Sequence, residues 1–230
     1  DIRIFPKYDD AEIIKVGNPA LKPQFTNSYE LGWKTGWSSG YLYSALYHRM
    51  VNGTITRIST TVPGSTLIYA IFQNGDKSYT SGLELIWDQD VTDWYSFDLN
   101  LTGYHNQIDE FTVENKYPTP HTFTVDKQEI FSGNVKWNSK FKFSDKFSGQ
   151  LTAIYLAPDI IPQGRIQSRF SLDVGLNRVI QQGNGELFFN ATDLLNTMVI
   201  KRTIDGNDFS YTSADYYETQ VMRVGYNYKF

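Results

Sequence analysis

Along most of the chain, apolar and polar residues take turns one for one. Side chains alternate across a β-strand, so a period of two gives one apolar and one polar face. In the last segment Met222, Val224, Tyr226, Tyr228 and Phe230 fall on one face, and Arg223, Gly225, Asn227 and Lys229 on the other. Within 166–178, Phe170, Leu172, Val174 and Leu176 oppose Arg169, Ser171, Asp173, Gly175 and Asn177. Within 130–143, Phe131, Val135, Trp137, Phe141 and Phe143 oppose Lys136, Asn138, Lys140 and Lys142. Segments 94–106, 78–88 and 28–37 repeat the pattern, and 40–51, 147–157 and 186–196 show it more weakly. No stretch longer than ten residues has a convincing helical period. The pattern predicts an all-β chain of about nine long antiparallel strands in up-and-down order, with no helix of consequence.

The links alternate in length as well. Short turns are expected at 38–39, 89–92, 144–145 and 181–185, and longer links at 57–76, 107–126, 157–164 and 201–215. Tight turns on one rim and long external loops on the other are the layout of a transmembrane β-barrel. Two soluble folds also alternate. A sandwich usually has strands of ~5–6 residues, and a lipocalin-like barrel turns its apolar face inward. The polar face favours the membrane barrel, because Lys136, Asn138, Lys140, Arg223, Asn227 and Lys229 suit a watery lumen. Trp33, Trp37, Trp87, Tyr95, Phe143, Phe147, Tyr226, Tyr228 and Phe230 adjoin the short turns or the C-terminus, where an interfacial aromatic girdle belongs. Lys or Arg placed outward at Leu99, Leu172 or Val224 should then cost ~2–4 kcal/mol at the bilayer midplane, and far less at Asn100 or Asp173.

Composition sharpens this picture. Aromatics make up 16% of the 230 residues, yet mean hydropathy is −0.40, so the two kinds of residue must be interleaved. The longest apolar run, Ser65 to Phe72, is far short of the ~18–20 residues of a spanning helix. That excludes a helical membrane protein and leaves a barrel open. A net charge of −4 argues against a nucleic-acid surface. Without cysteine there is no disulfide, thiolate metal site or thiol nucleophile. The first residues, Asp1 to Pro6, lack the features of a signal peptide, so the chain is expected to be a mature start or a piece of something longer.

Little looks catalytic. His48, His105 and His121 are far apart, and neither a G-x-S-x-G elbow nor a P-loop is present. Asp9, Asp10 and Glu12, and likewise Asp205, Asp208 and Asp215, offer hard oxygen ligands for calcium, but without a known loop spacing they read as solvated loop acids. The expectation is a non-enzyme with no cofactor and no metal.

Four short motifs carry a family resemblance. Asn18-Pro19-Ala20-Leu21-Lys22-Pro23 followed by Tyr29-Glu30-Leu31-Gly32 resembles the "NP-x-L-K-P-E … Y-E-x-G" segment of TonB-dependent outer-membrane receptors, with Gln24 in place of the usual acid. Tyr79 to Glu84, with Gly82 and Glu84, resembles the family's "G-V/L-E" strand. Asn190 to Asn196, with Asp193, resembles its "v-x-N/D-L-F-N" signal in the next-to-last strand. The closing Tyr226, Tyr228 and Phe230 resemble the signal read by the barrel-assembly machinery.

The resemblance covers 18–230 and is closest to the C-terminal part of the barrel. It implies a larger receptor of about 22 strands with a plugged lumen, whose N-terminal part engages a TonB-type energy transducer in the inner membrane. On this reading residues 1–26 are an external loop or leading segment and 27–230 are barrel strands. Alternatively, residues 1–17 supply a tenth strand and the chain closes as a small barrel. The implied function is import of a bulky nutrient: an iron chelate, a glycan, a peptide or a corrinoid. The implied partners are outer-membrane lipid, the assembly machinery, plug and transducer, with a surface lipoprotein as a further candidate and no nucleic acid. Tyr117, His121, Phe209, Tyr211, Tyr216 and Tyr217 are the loop residues expected to stack on such a ligand. Glu30 and Glu84 are expected to pair with lumen cations or touch the plug. The rival functions are a non-transporting barrel (adhesin, anchor or scaffold) and a soluble β domain that binds a hydrophobic or carbohydrate ligand.

Overall fold

A computed structural model describes residues 6–8, 12–61, 66–116 and 120–230. Tyr117, Asp9 and Asp10 lie outside the described residues. In chain order the strands are β1 Lys7–Tyr8, β2 Ile13–Val16, β3 Phe25–Trp37, β4 Gly40–Asn52, β5 Ile55–Thr61, β6 Ile68–Asn74, β7 Lys77–Thr92, β8 Tyr95–Ile108, β9 Phe111–Asn115 and β10 His121–Val125. There follow β11 Gln128–Ser144, β12 Phe147–Leu156, β13 Asp159–Ile161, β14 Gly164–Ile166, β15 Arg169–Ile180, β16 Gly185–Thr192, β17 Ile200–Asp205, β18 Ser210–Asp215 and β19 Val221–Tyr228. Among the described residues the only helical element is a 3₁₀ turn at Gln181–Gly183.

The nine strands read from the alternation are the nine strands of one sheet, in the order β19-β16-β15-β12-β11-β8-β7-β4-β3. Every neighbouring pair is antiparallel. The sheet is open, with β3 and β19 at its edges. Two turns fall later than the pattern placed them. β7 runs on to Thr92 and β11 to Ser144, because a register shift inserts one residue in each, between Asp90 and Thr92 and between Lys142 and Ser144.

The register settles the faces. Leu42, Trp87, Leu99, Trp137, Ala153 and Leu172 form one row across six strands. The next row toward the long links, on the same face, runs Trp33, Ser44, Leu85, Leu101, Val135, Tyr155 and Phe170. Among the described residues this apolar face has no protein against it: Leu31 is 76% exposed, Phe131 84% and Val224 80%. So large an exposed apolar surface needs a non-aqueous partner, and its strands of 8 to 17 residues suit a bilayer. Trp87, Phe97, Tyr95, Phe141, Phe143 and Phe147 touch ring to ring at 5.0–6.3 Å along the short-turn rim, as a girdle.

The links read as loops at the other rim are themselves sheets. β1-β2-β6-β5 make one, β13-β14-β17-β18 a second, and β9 and β10 a hairpin. The buried apolar clusters are here. Ile58 of β5 packs with Phe111, Val113, Phe123 and Val125 of the hairpin, and Ile14, Val16 and Ile71 form a second cluster. Residues 13–16 do not supply a tenth wall strand: Ile13–Val16 pairs in parallel with β6 in the outer layer. Ile14 and Val16 are buried there, packed with Ile71.

Candidate functional site

The polar face of the wall is a connected hydrogen-bond network. Asn138 of β11 is its hub: its Nδ2 donates to Asp98 Oδ2 at 2.8 Å, and its Oδ1 accepts from Gln150 (2.7 Å) and Thr152 (2.8 Å). Lys140 Nζ lies 3.1 Å from Asp98. Asn177 donates to Glu186 nearby. Asp98, Asn138 and Thr152 form one row and Lys140 and Gln150 the next, because β8, β11 and β12 are in register, and their mutual satisfaction suits a wetted face.

The motif residues turn out to build the wall and its rim. Asn18 donates to the Phe72 carbonyl (3.0 Å) and Gln73 Oε1 (3.1 Å), and accepts from Ala20 N–H (2.9 Å) in an Asx turn. Two residues beyond Ala20, Lys22 N–H donates to Asn74 Oδ1 (2.8 Å) and its carbonyl accepts from Asn74 Nδ2 (2.9 Å). The segment with Pro19, Leu21 and Pro23 is thus docked along the end of β6, where it aims the chain into β3. Glu30 accepts from the Tyr43 hydroxyl at 2.9 Å. Glu84 is half-buried, in register with Ala45 and Thr102. Gly32 and Gly82 lie beneath Tyr43 and Tyr47.

Asp193 and Asn196 lie past the end of the strand, not within it. β16 stops at Thr192, and both residues have positive φ, 44° and 54°. Asp193 is buried and accepts from Thr197 N–H (2.9 Å), Met198 N–H (3.1 Å) and Thr219 Oγ1 (2.6 Å). Burial resists its ionisation, but those donors outweigh it and hold its pKa below the usual carboxylate value. The turn takes the place of a paired strand beside β15: Leu194 N–H reaches the Leu172 carbonyl (2.8 Å) and Thr197 Oγ1 the Phe170 carbonyl (2.6 Å). At the C-terminus Tyr226, Tyr228 and Phe230 stand exposed on the apolar face, with rings 5.1–6.4 Å apart.

The loop candidates divide. His121 is tied into a half-buried cluster, with Nε2 3.0 Å from Thr60 Oγ1 and 3.3 Å from Asn115 Nδ2, while Gln73 donates to Asn115. It holds the β9–β10 hairpin to the outer sheet. Phe209 and Tyr211 stack at 6.0 Å around the β17–β18 turn. Tyr216 and Tyr217 are exposed. Tyr211 and Tyr217 line a cleft of about 600 Å³ between the two outer four-stranded sheets. Among the described residues no cluster of acids and histidines suits a metal. Asp205 accepts from Ser210 (2.6 Å) and Asp215 pairs with Arg202.

The cleft's walls follow from register. On one sheet Lys15 pairs with Ala70, Ser59 with Ala70, and Arg57 with Phe72, so these share a face, while Ile14, Val16, Ile58 and Ile71 bury the other. On the facing sheet Arg202 pairs with Ser213 and Ile204 with Tyr211. The turn between β13 and β14 closes the cleft: Gln163 Oε1 accepts from Ser59 N–H (2.6 Å) and its Nε2 donates to the Ser59 carbonyl (2.8 Å), as a third strand would. Lys15, Arg57 and Arg202 were not singled out by sequence. They come from separate links and share no motif.

An open sheet with one lipid-exposed apolar face, one wetted polar face and an aromatic girdle defines a wall of a transmembrane β-barrel. The sequence pattern of the Outer membrane protein beta-barrel family matches residues 1–228, and the chain belongs to that family. It is a protein of the outer membrane. No curated protein matches it. Among solved structures it is similar in fold to the siderophore receptor PirA from Acinetobacter baumannii, with a TM-score of 0.51 and 11% identity over 94% of this chain. The match spans 33% of that receptor's length.

Proposed function

We propose that the chain is the C-terminal barrel segment and external binding layer of a TonB-dependent receptor that imports a bulky nutrient. The observation that carries this reading is the outer layer. The long links are not slack loops but two sheets and a hairpin, with two buried apolar clusters in the first sheet and the hairpin, and they bound a cleft above the wall. A cleft of about 600 Å³ falls within the ~300–1,000 Å³ typical of ligand sites. An anchor or adhesin needs no such cavity. The fold shared with a siderophore receptor supports the same reading, and the iron chelate, glycan, peptide and corrinoid classes are the candidate cargoes.

In this reading Tyr211 and Tyr217 meet cargo in the cleft, and Phe209 and Tyr216 flank it. The wetted face meets a plug, and the upstream part of the receptor engages the transducer. Tyr226, Tyr228 and Phe230 present the assembly signal, and a surface lipoprotein covers the outer layer if one is present. The test is growth of the source cells on each cargo class at limiting supply. The intact gene, its deletion and loss of the transducer are compared. Loss of growth on one class in both mutants is expected. Equal growth on every class would refute import.

A further inference from the structure

We infer that the cleft between the two outer sheets takes an organic anion with a planar apolar body. The inference rests on the external-binding reading above and adds the chemistry of the ligand. Three cationic side chains from three elements line this one space: Lys15 of β2, Arg57 of β5 and Arg202 of β17. The carboxylate lining it, Asp215, is engaged by Arg202. Among the described residues no carboxylate pairs with Arg57. Its guanidinium instead lies 4.8 Å from the centroid of Phe72 in the same wall. A guanidinium stacked on a ring keeps its in-plane N–H fork for a carboxylate, sulfonate or phosphate. The ring holds the fork in place, so less entropy is lost when an anion docks.

Beside the polar Thr56, Ser59, Gln163 and Ser213, the lining carries three rings, those of Phe72, Tyr211 and Tyr217, and the aliphatic Ile13 and Ile204. Phenol and phenyl faces suit a flat hydrophobic body. Arg57 is exposed, so a neutral glycan would leave its guanidinium to water and gain no charge-assisted contact from it. A hydrophobic neutral molecule would bury the same charge at a cost. The sheets bring these groups together through register, since Arg57 and Phe72 are directly opposed on β5 and β6. The Gln163–Ser59 pair fixes the floor.

The test uses the full-length protein purified from outer membranes in a neutral detergent, with pyrenetetrasulfonate as the fluorescent aromatic polyanion. A saturable rise in anisotropy is expected that maltohexaose, a neutral glycan, does not reverse. Arg57→Gln should weaken binding about tenfold, the loss of one charge-assisted contact. Arg57→Lys keeps the charge but not the fork and should fall between. Phe72→Leu should weaken it a few-fold. Lys142→Gln, at the opposite rim, should bind as the parent does. Heat-modifiable migration on a gel checks that each variant is folded, and Arg57→Lys carries the test if Arg57→Gln is not. No saturable binding to the parent, as when another segment of the receptor fills the cleft, would overturn the inference. So would equal binding by both Arg57 variants. Binding needs no energised import, so failure of the growth test with anion binding intact would remove the import reading alone. Import that persists unchanged in Arg57→Gln would remove the anion site alone.

Discussion

The hydroxyl of Tyr47 occupies the space a side chain at Gly82 would need: a Cβ there would lie 2.7 Å from it. The two residues are register partners on β4 and β7. The Gly103 carbonyl oxygen would lie 2.6 Å from the same Cβ. Tyr43 covers Gly32 in the same way, and the Phe188 ring covers Gly225. An aromatic folded over a strand glycine restores the packing the glycine lacks. Gly82→Ala should therefore destabilise the wall by about 1–3 kcal/mol, the usual cost of overpacking, read as a lower urea midpoint for unfolding from lipid vesicles. Adding Tyr47→Ala should recover only part of the loss, because the carbonyl contact remains. Full recovery would mean the hydroxyl alone sets the constraint.

Outward and inward positions should differ sharply in their tolerance of charge. Leu101 lies between Leu85 and Val135 on the lipid face, one row further from the aromatic girdle than Leu99. Leu101→Arg should cost ~2–4 kcal/mol in the same vesicle assay, and Asn100→Arg, next along the strand but lumen-facing, under about 1. Equal costs would refute the assignment of faces. The structure changes the expectation for Asp173. Its Oδ1 accepts from Asp193 N–H (2.8 Å) and from Ser171 Oγ (3.1 Å), so it supports the rim turn and will not tolerate Arg as Asn100 does.

How much of this was legible in the sequence depended on whether a strand has one wet face. β8, β11 and β15 have, and their alternation is clean. β4 puts Tyr41, Tyr43 and Tyr47 on the lumen side, β12 puts Ile154 and Leu156 there, and β16 puts Phe188 there, so apolar residues fall on both faces and the period blurs. The outer layer was read as links for the same reason. β5 buries Ile58 and Thr60 on one side and Ser59 on the other. A short strand covered on both faces has no period-two signature. Tyr211 and Tyr217 were visible as loop aromatics, but Arg57 joins them only where two separate sheets face each other across the cleft, which no local pattern in the sequence records.

The Gln163–Ser59 pair should hold the outer sheets together. Both partners are buried, and removing the amide leaves an N–H and a C=O of β5 without partners. Gln163→Ala should cost ~1–3 kcal/mol locally and raise amide exchange across 55–61 while the wall strands stay protected. Gln163→Glu keeps an acceptor for Ser59 N–H but sets a carboxylate against the carbonyl, and should be at least as disruptive. Unchanged exchange in both variants would show that apolar packing around Ile58 suffices.

Asp193 should make the rim turn acid-sensitive. Its carboxylate is stabilised in the fold by the Thr219 hydroxyl and the N–H groups of Thr197 and Met198, and its pKa is lowered below the ordinary carboxylate value. A group with a depressed folded pKa contributes stability that is fully present above its unfolded pKa, ~3.9 for Asp. That contribution is lost as pH falls through the folded value. Between pH 7 and pH 5 the turn should be unchanged. Below about pH 4 amide exchange at Thr197 and Met198 should quicken ahead of the wall strands. Asp193→Asn retains one oxygen acceptor but brings an NH₂ where a second acceptor was needed. It should loosen the turn by ~1–3 kcal/mol at neutral pH and flatten the acid response, because nothing remains to titrate. Acid loosening that persists unchanged in Asp193→Asn would show that the Asp193 carboxylate is not the group that makes the turn acid-sensitive.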